Sequence, residues 1–124
     1  MTAVRGVRGA TTVRENSRPE IMDATEELLN EMIAANDIAS KDIAAVYFTL
    51  TSDLNAEFPA VAARERLNWN LVPLINSIEI DRPGSMRKCV RVMLFLNTDK
   101  SQDEIRHIYL REAVVLRADI TDAQ

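Results

Sequence analysis

The stretch Cys89-Val90-Arg91-Val92-Met93-Leu94-Phe95-Leu96 constrains this chain more than any other. It alternates as a strand does, with Val90, Val92, Leu94 and Leu96 on one face and Cys89, Arg91, Met93 and Phe95 on the other. Both sets are apolar except for Arg91. Such a strand belongs inside a sheet that is covered on both sides. Only one long amphipathic helix accompanies it. Ser17 to Asn36 carries Ile21, Met22, Thr25, Leu28, Leu29, Met32 and Ile33 at helical spacing, with Glu26, Glu27, Asn30 and Glu31 away from that face. Ser17 and Glu20 have capping-box spacing, and Pro19 fits the first turn. One helix covers part of one side of a sheet. A neighbouring subunit is the natural cover for the other.

The remaining segments read more simply. Val4 to Val13 is a short strand with Gly6 and Gly9 flanking Val7-Arg8, glycines that let backbone or ligand approach closely. Ala45 to Thr51 is a strand, Asp53 to Pro59 a loop and Pro59 to Leu67 a short helix. Leu71 to Ile80 is extended and apolar, and Pro73 marks it as an edge or irregular stretch. Arg82-Pro83-Gly84 suits a type II turn. A strand over Arg87 to Asn97 is followed by a helical turn over Ser101 to Arg106, with a second capping box. His107 to Arg117 reads as a last strand, and the polar tail beyond it as frayed. The sum is a single α+β domain of five strands, one long helix and short helical turns.

Composition narrows the chemistry. Of 124 residues, 34 are Ile, Leu, Val or Phe, above the ~20% typical of disordered chains. A net charge of −4 argues against general affinity for nucleic acid or anionic membranes. One cysteine excludes an internal disulfide framework, and one histidine excludes multi-histidine metal sites. No apolar run is long enough to span a bilayer, and MTAVRGVRGATTV shows no long apolar signal region, so a cytoplasmic protein is expected. No P-loop, G-x-S-x-G or C-x-x-C is present. His107 reads as a surface or structural histidine, and Cys89 as a buried, inert thiol.

Arg91 remains the sharpest anomaly. A guanidinium among apolar neighbours is costly without a paired anion. That anion is either an internal carboxylate such as Glu79 or a ligand, and composition leaves the two open. Glu79, within I-N-S-I-E-I-D, poses the same question. Arg8 and Tyr109 are weaker signals of the same kind, while Arg64 and Arg66 read as solvated on their short helix.

Four segments occur in order: V-R-G-V-R-G-A-T-T-V (Val4 to Val13), D-L-N-A-E-F-P-A (Asp53 to Ala60), K-C-V-R-V-M (Lys88 to Met93) and Q-D-E-I-R-H-I-Y-L-R-E-A-V-V-L-R (Gln102 to Arg117). With the spacing between them they span nearly the whole chain, and the sequence resembles the monofunctional, AroH-type chorismate mutases. The resemblance implies a five-stranded mixed sheet in a homotrimeric pseudo α/β-barrel, with active sites in the clefts between adjacent chains. It implies conversion of chorismate to prephenate, on the route to phenylalanine and tyrosine, without metal or cofactor. Carried over by position, Arg8 would bind the substrate's side-chain carboxylate, assisted by Tyr109. Arg91 would face the ether oxygen of the breaking bond, and Glu79 the ring hydroxyl and the developing positive charge. Leu74, Ile75, Asn76, Ser77 and Ile78 would line the pocket. Phe58, Ala60, Arg64 and Leu116 would complete its walls, with Arg64 and Arg117 near the entrance. The family's pocket cysteine corresponds here to Asn76, and a lysine beside the phenylalanine loop to Val61. The alternative is a non-catalytic trimeric module that binds a small carboxylate in the same cleft; an enzyme acting on imines or enamines matches fewer of these segments.

Overall fold

The computed structural model describes residues 2–116, so Arg117 and the tail lie outside the described residues. Five strands, β1 (Ala3–Thr12), β2 (Ile43–Leu50), β3 (Leu74–Ile78), β4 (Cys89–Thr98) and β5 (Ile108–Tyr109), form one sheet in the order β3-β2-β4-β1-β5. The β1–β4 and β2–β4 pairs are antiparallel, while β1–β5 and β2–β3 are parallel. The sheet is therefore mixed, and its centre is the strand that is apolar on both faces.

Two helices, α1 (Arg18–Asn36) and α2 (Pro59–Leu67), pack on one side of it. Val92, Leu94 and Leu96 of β4 are 0–3% exposed there, among Val7, Phe48, Leu28, Leu29 and Met32, and Val90 is buried in a second cluster with Val13, Ile21, Ala24, Leu50 and Leu54. The Ser17 hydroxyl accepts from Glu20 N at 3.3 Å, which caps α1. The Glu20 carboxylate instead accepts from Arg14 N, so the expected box is only half closed. Gly9 points at α1: a Cβ there would lie 2.5 Å from Met32 Sδ and 3.1 Å from Leu28 Cδ1. The close approach this glycine permits is that of the helix, not of a ligand. Val61 is 8% exposed and packs beside Met22 and Ala62.

The opposite side of the sheet is covered only at one end, where Ala113, Met86 and Leu116 pack over Ala10 and Cys89, and no helix layer lies on the rest of it among the described residues. Val4, Tyr47, Ile75 and Phe95 all lie exposed on it. That is the unpartnered face inferred from the pattern of β4.

Most boundaries shift by one or two residues, and two segments differ more from the sequence reading. The last strand holds only Ile108–Tyr109, and Arg111–Leu116 forms a 3-10 helix. Arg111 takes a left-handed φ of 54°, its guanidinium donates to Thr12 O, and Glu112 N donates to the Thr12 hydroxyl. These bonds turn the chain off the sheet where β1 itself ends, leaving Val114 and Val115 exposed. Their β-branched side chains resemble a strand's, but no strand partner remains. The central strand starts at Cys89 rather than Arg87, because Lys88 has φ 51° and gives its N–H to the Asp53 carboxylate. Of the extended stretch Leu71 to Ile80, only Leu74–Ile78 pairs, at the edge after Pro73. The turn at Arg82 forms as expected, with Ser85 N on Arg82 O at 3.1 Å and Gly84 at φ 83°. The second box also forms, Ser101 N donating to Glu104 Oε1 at 2.8 Å. Among the described residues no helix is long and apolar enough to cross a membrane.

Candidate active site

Register across the open face aligns one row of side chains over all five strands. Ser77 pairs with Thr49, Thr49 with Arg91, Arg91 with Ala10, and Ala10 with Tyr109. The next row places Ile75, Tyr47, Met93 and Arg8 side by side. Small Ala10 leaves a depression between Arg91 and Tyr109. A hollow of about 390 Å³ opens here, lined by Arg8, Tyr47, Thr49, Arg91, Tyr109 and Leu116 among others. A second hollow of about 300 Å³ adjoins it, lined by Glu79, Met86 and Cys89 and sharing Arg91 and Leu116. Arg91 thus stands between the two.

The charges are poised rather than consumed. Arg91 Nε lies 4.0 Å from Glu79 Oε2, with 49% and 27% of the two side chains exposed. The guanidinium is half in water in the protomer, so its position carries no large burial cost there. Glu79 is held from behind: the Thr49 hydroxyl donates to its Oε2 in a short hydrogen bond, and Glu79 N donates to Leu50 O at 2.8 Å. Among the described residues no carboxylate pairs with the Arg8 guanidinium. Burial pushes the Cys89 thiol up, more than the neighbouring Arg91 draws it down, so this buried sulfur stays protonated at neutral pH. It supplies no nucleophile. Among the described residues no group of three or more His, Cys, Asp or Glu side chains is placed to hold a metal ion.

The strand end that delivers Arg91 is tied down on its own account. Asp53 accepts from the Thr51 hydroxyl at 2.6 Å and from Lys88 N at 3.0 Å, and Cys89 N donates to the Thr51 hydroxyl at 3.0 Å. Partial burial opposes ionisation of Asp53, but these hydrogen bonds outweigh it and hold the carboxyl below the usual range.

Ile75 and Ser77 stand in these open-face rows, and most of the other expected site residues gather elsewhere. Phe58, Asn76, Ser77 and Ile78 line a third hollow of about 470 Å³ at the β3 edge. Phe58 and Ile78 are exposed there, and Arg64 is exposed on α2. Ala60 is 1% exposed and Leu74 packs against the core, so their side chains back this surface rather than form it. Asn76 Oδ1 accepts from Ala60 N at 3.1 Å, which caps α2 from the neighbouring strand and fixes the amide's orientation. The protomer therefore brings Arg8, Glu79, Arg91, Tyr109 and Leu116 together and holds Phe58, Arg64 and Asn76 apart from them.

Tyr47 and Thr49 were missed as site residues in the sequence reading. Their signal is the alternation in A-V-Y-F-T-L-T, which sets both opposite the core residues Val46 and Phe48.

The family model for chorismate mutase type I matches residues 4–120. The chain belongs to the type I chorismate mutase family. Among members of this family, chorismate mutase AroH of Thermus thermophilus is 50% identical over 122 residues, covering 98% of this chain and 99% of the relative. Chorismate mutase AroH of Bacillus subtilis (strain 168) is 43% identical over 118 residues, covering 95% and 93%. A solved chorismate mutase from Clostridium thermocellum superposes with a TM-score of 0.88 at 48% identity, over 90% of this chain and 98% of that one. Among the described residues this cleft presents the Arg91 and Glu79 charges and a protonated Cys89 thiol.

Proposed function

We propose that this protein converts chorismate to prephenate, on the route to phenylalanine and tyrosine, as a cytoplasmic homotrimer of single-domain subunits with its active sites between adjacent copies. The observation that carries the shared site is the separation of its expected residues into two groups on one protomer. One group surrounds Arg91 on the open sheet face, and the other surrounds Phe58 at the β3 edge. Placing the β3 edge of one copy over the open face of the next completes a single cleft. It also covers the apolar side chains left exposed on both surfaces, in a pseudo α/β-barrel arrangement.

The rearrangement is unimolecular: one C–O bond breaks as one C–C bond forms, and no proton, hydride or acyl group moves. The protein's contribution is to hold a compact substrate conformer and to match the charge that develops. Arg8 binds the side-chain carboxylate with Tyr109 beside it. Arg91 donates to the ether oxygen, which gains negative charge, so this contact strengthens in the transition state. Glu79, oriented by Thr49, faces the ring hydroxyl and the developing positive charge. The adjacent copy contributes Phe58, the Leu74–Ile78 strand with Ala60 behind it, and Arg64 near the entrance, and Leu116 completes the walls. The test is loss of the chorismate diene absorbance on adding purified protein without metals or cofactors, with light scattering for the trimer. A folded trimer that binds prephenate and leaves chorismate at its uncatalysed rate would instead be a carboxylate-binding module.

A further inference from the structure

We propose that His107 is a positioning residue: its imidazole accepts the Arg8 main-chain N–H and thereby sets Arg8 and Tyr109 relative to each other at the carboxylate end of the site. The inference rests on the reading of Arg8 as a substrate ligand.

The two-residue strand β5 pairs Tyr109 with Ala10 of β1. Leu110 N donates to Ala10 O at 2.9 Å. Two residues back along both strands, a regular parallel ladder would offer Arg106 O to Arg8 N. That carbonyl is turned away. It accepts from Asn36 Nδ2 at 2.8 Å, while Arg106 N donates to Asn36 Oδ1 at 2.8 Å. Asn36 is itself buried at the end of α1. The Arg8 N–H would be left without its ladder partner, and His107 Nδ1 takes it at 2.9 Å. A side chain thus replaces one rung of the sheet, directly between the residue that carries Arg8 and the strand that carries Tyr109.

This rung exists only for the neutral ring. Acceptance at Nδ1 puts the ring proton on Nε2. A second proton would occupy Nδ1, remove the acceptor and set a new positive charge near Arg8. Burial first, and the Arg8 charge second, lower the His107 pKa, so the acceptor form prevails at neutral pH. Among the described residues no carboxylate offsets these effects. On α1, Glu27 is engaged by Arg111, and in the β4–β5 connection Asp103 and Glu104 fold back onto Ser101. Because the rearrangement moves no proton, its pH profile reports groups that bind or position rather than groups that transfer protons.

The test compares full-length wild type with His107→Leu, which fills the space without an acceptor, and His107→Asn, which restores an acceptor that does not titrate. Steady-state kcat and KM for chorismate are measured from about pH 5 to 8, the range in which an imidazole changes charge. Misplacing a ligand by about 1 Å costs up to ~10²-fold. We expect His107→Leu to lose about 10- to 100-fold in kcat/KM at neutral pH, and His107→Asn to recover most of it. Wild type should lose kcat/KM as pH falls through the lowered imidazole pKa, and His107→Asn should stay level there. An acid limb unchanged in His107→Asn, or full kcat/KM in a folded His107→Leu, overturns the proposal. If His107→Leu does not fold, the profiles of wild type and His107→Asn decide. Arg8→Ala separates the premises. A crippled Arg8→Ala beside an unaffected His107→Leu refutes the role of His107 alone, whereas an unaffected Arg8→Ala refutes the reading of Arg8 itself.

Discussion

Arg91→Lys keeps a positive charge on the central strand and removes the guanidinium fork. Two magnitudes decide what it should do. The first is folding. Arg91 and Glu79 approach only to 4.0 Å, and the side chains are 49% and 27% exposed. Unscreened, such a pair at an effective dielectric of 20 would be worth about 4 kcal/mol. Exposed pairs measured by double-mutant cycles give ~0.2–1 kcal/mol, and with half the guanidinium in water the low end applies. Lysine retains part of even that, so unfolding should shift by no more than a few degrees. The second magnitude is catalysis. Losing one preorganised donor to a developing oxyanion costs about 10²–10³ in kcat, or ~2.7–4 kcal/mol. The ammonium is a shorter point charge that cannot present two parallel N–H donors to a fixed oxygen. The expectation is therefore a fall of at least ~10²-fold in kcat in a protein of near-normal stability. Chorismate absorbance decay gives the rate, and a thermal melt gives the control. Near-normal turnover by Arg91→Lys would refute the electrostatic account. Equal collapse of stability and activity would show that the pair is structural.

Further expectations follow from neighbouring contacts. Thr49→Val removes the hydroxyl that donates to Glu79; kcat should fall ~10-fold, as for a hydrogen bond to a charged group, with recovery in Thr49→Ser and no change if Thr49 only packs. Asp53→Asn should lower stability by about 1–2 kcal/mol at neutral pH by weakening the bonds from Thr51 and Lys88. Because the folded-state pKa of Asp53 is depressed, that contribution is present above the unfolded value near ~3.9 and is lost as pH falls through the folded one. Urea unfolding of the two proteins should therefore converge in acid, and a gap independent of pH would contradict the assignment. Gly9→Ala places a methyl 2.5 Å from Met32 Sδ; denaturation should report a loss of about 1–3 kcal/mol from overpacking, and a neutral result would mean that α1 yields freely.

Local signals made part of this protein legible. The helix over Arg18–Asn36 announces itself through a 3.6-residue period and a Ser17 cap, both confined to neighbouring residues. The short helix over Pro59–Leu67 and the turn at Pro83-Gly84 depend equally on backbone preferences within a few positions. Arg91 stood out because a lone charge breaks an apolar alternation. The segment after Tyr109 misled because Val114 and Val115 have strand-like side chains wherever they lie; only the bonds from Arg111 and Glu112 to Thr12, about 100 residues earlier, turn them off the sheet. Thr49 carried only the alternation of its strand, and His107 no local mark of its role. Their roles depend on residues 30 and 99 positions away.

Adjacent residues specify the helices, the turns, most of the strands and the two-sided demand of the central strand, because periodicity and capping are local; they did not reveal the 3-10 helix Arg111–Leu116. The sequence by itself also determined the family, through four ordered segments. Tertiary structure alone decided the row Ser77–Thr49–Arg91–Ala10–Tyr109, the bond from Arg8 to His107 and the separation of the site residues into two groups. Those features follow from strand order and register. Register is a choice among long-range pairings made by the whole core at once, and a slip of one residue would have turned Arg91 toward the helices.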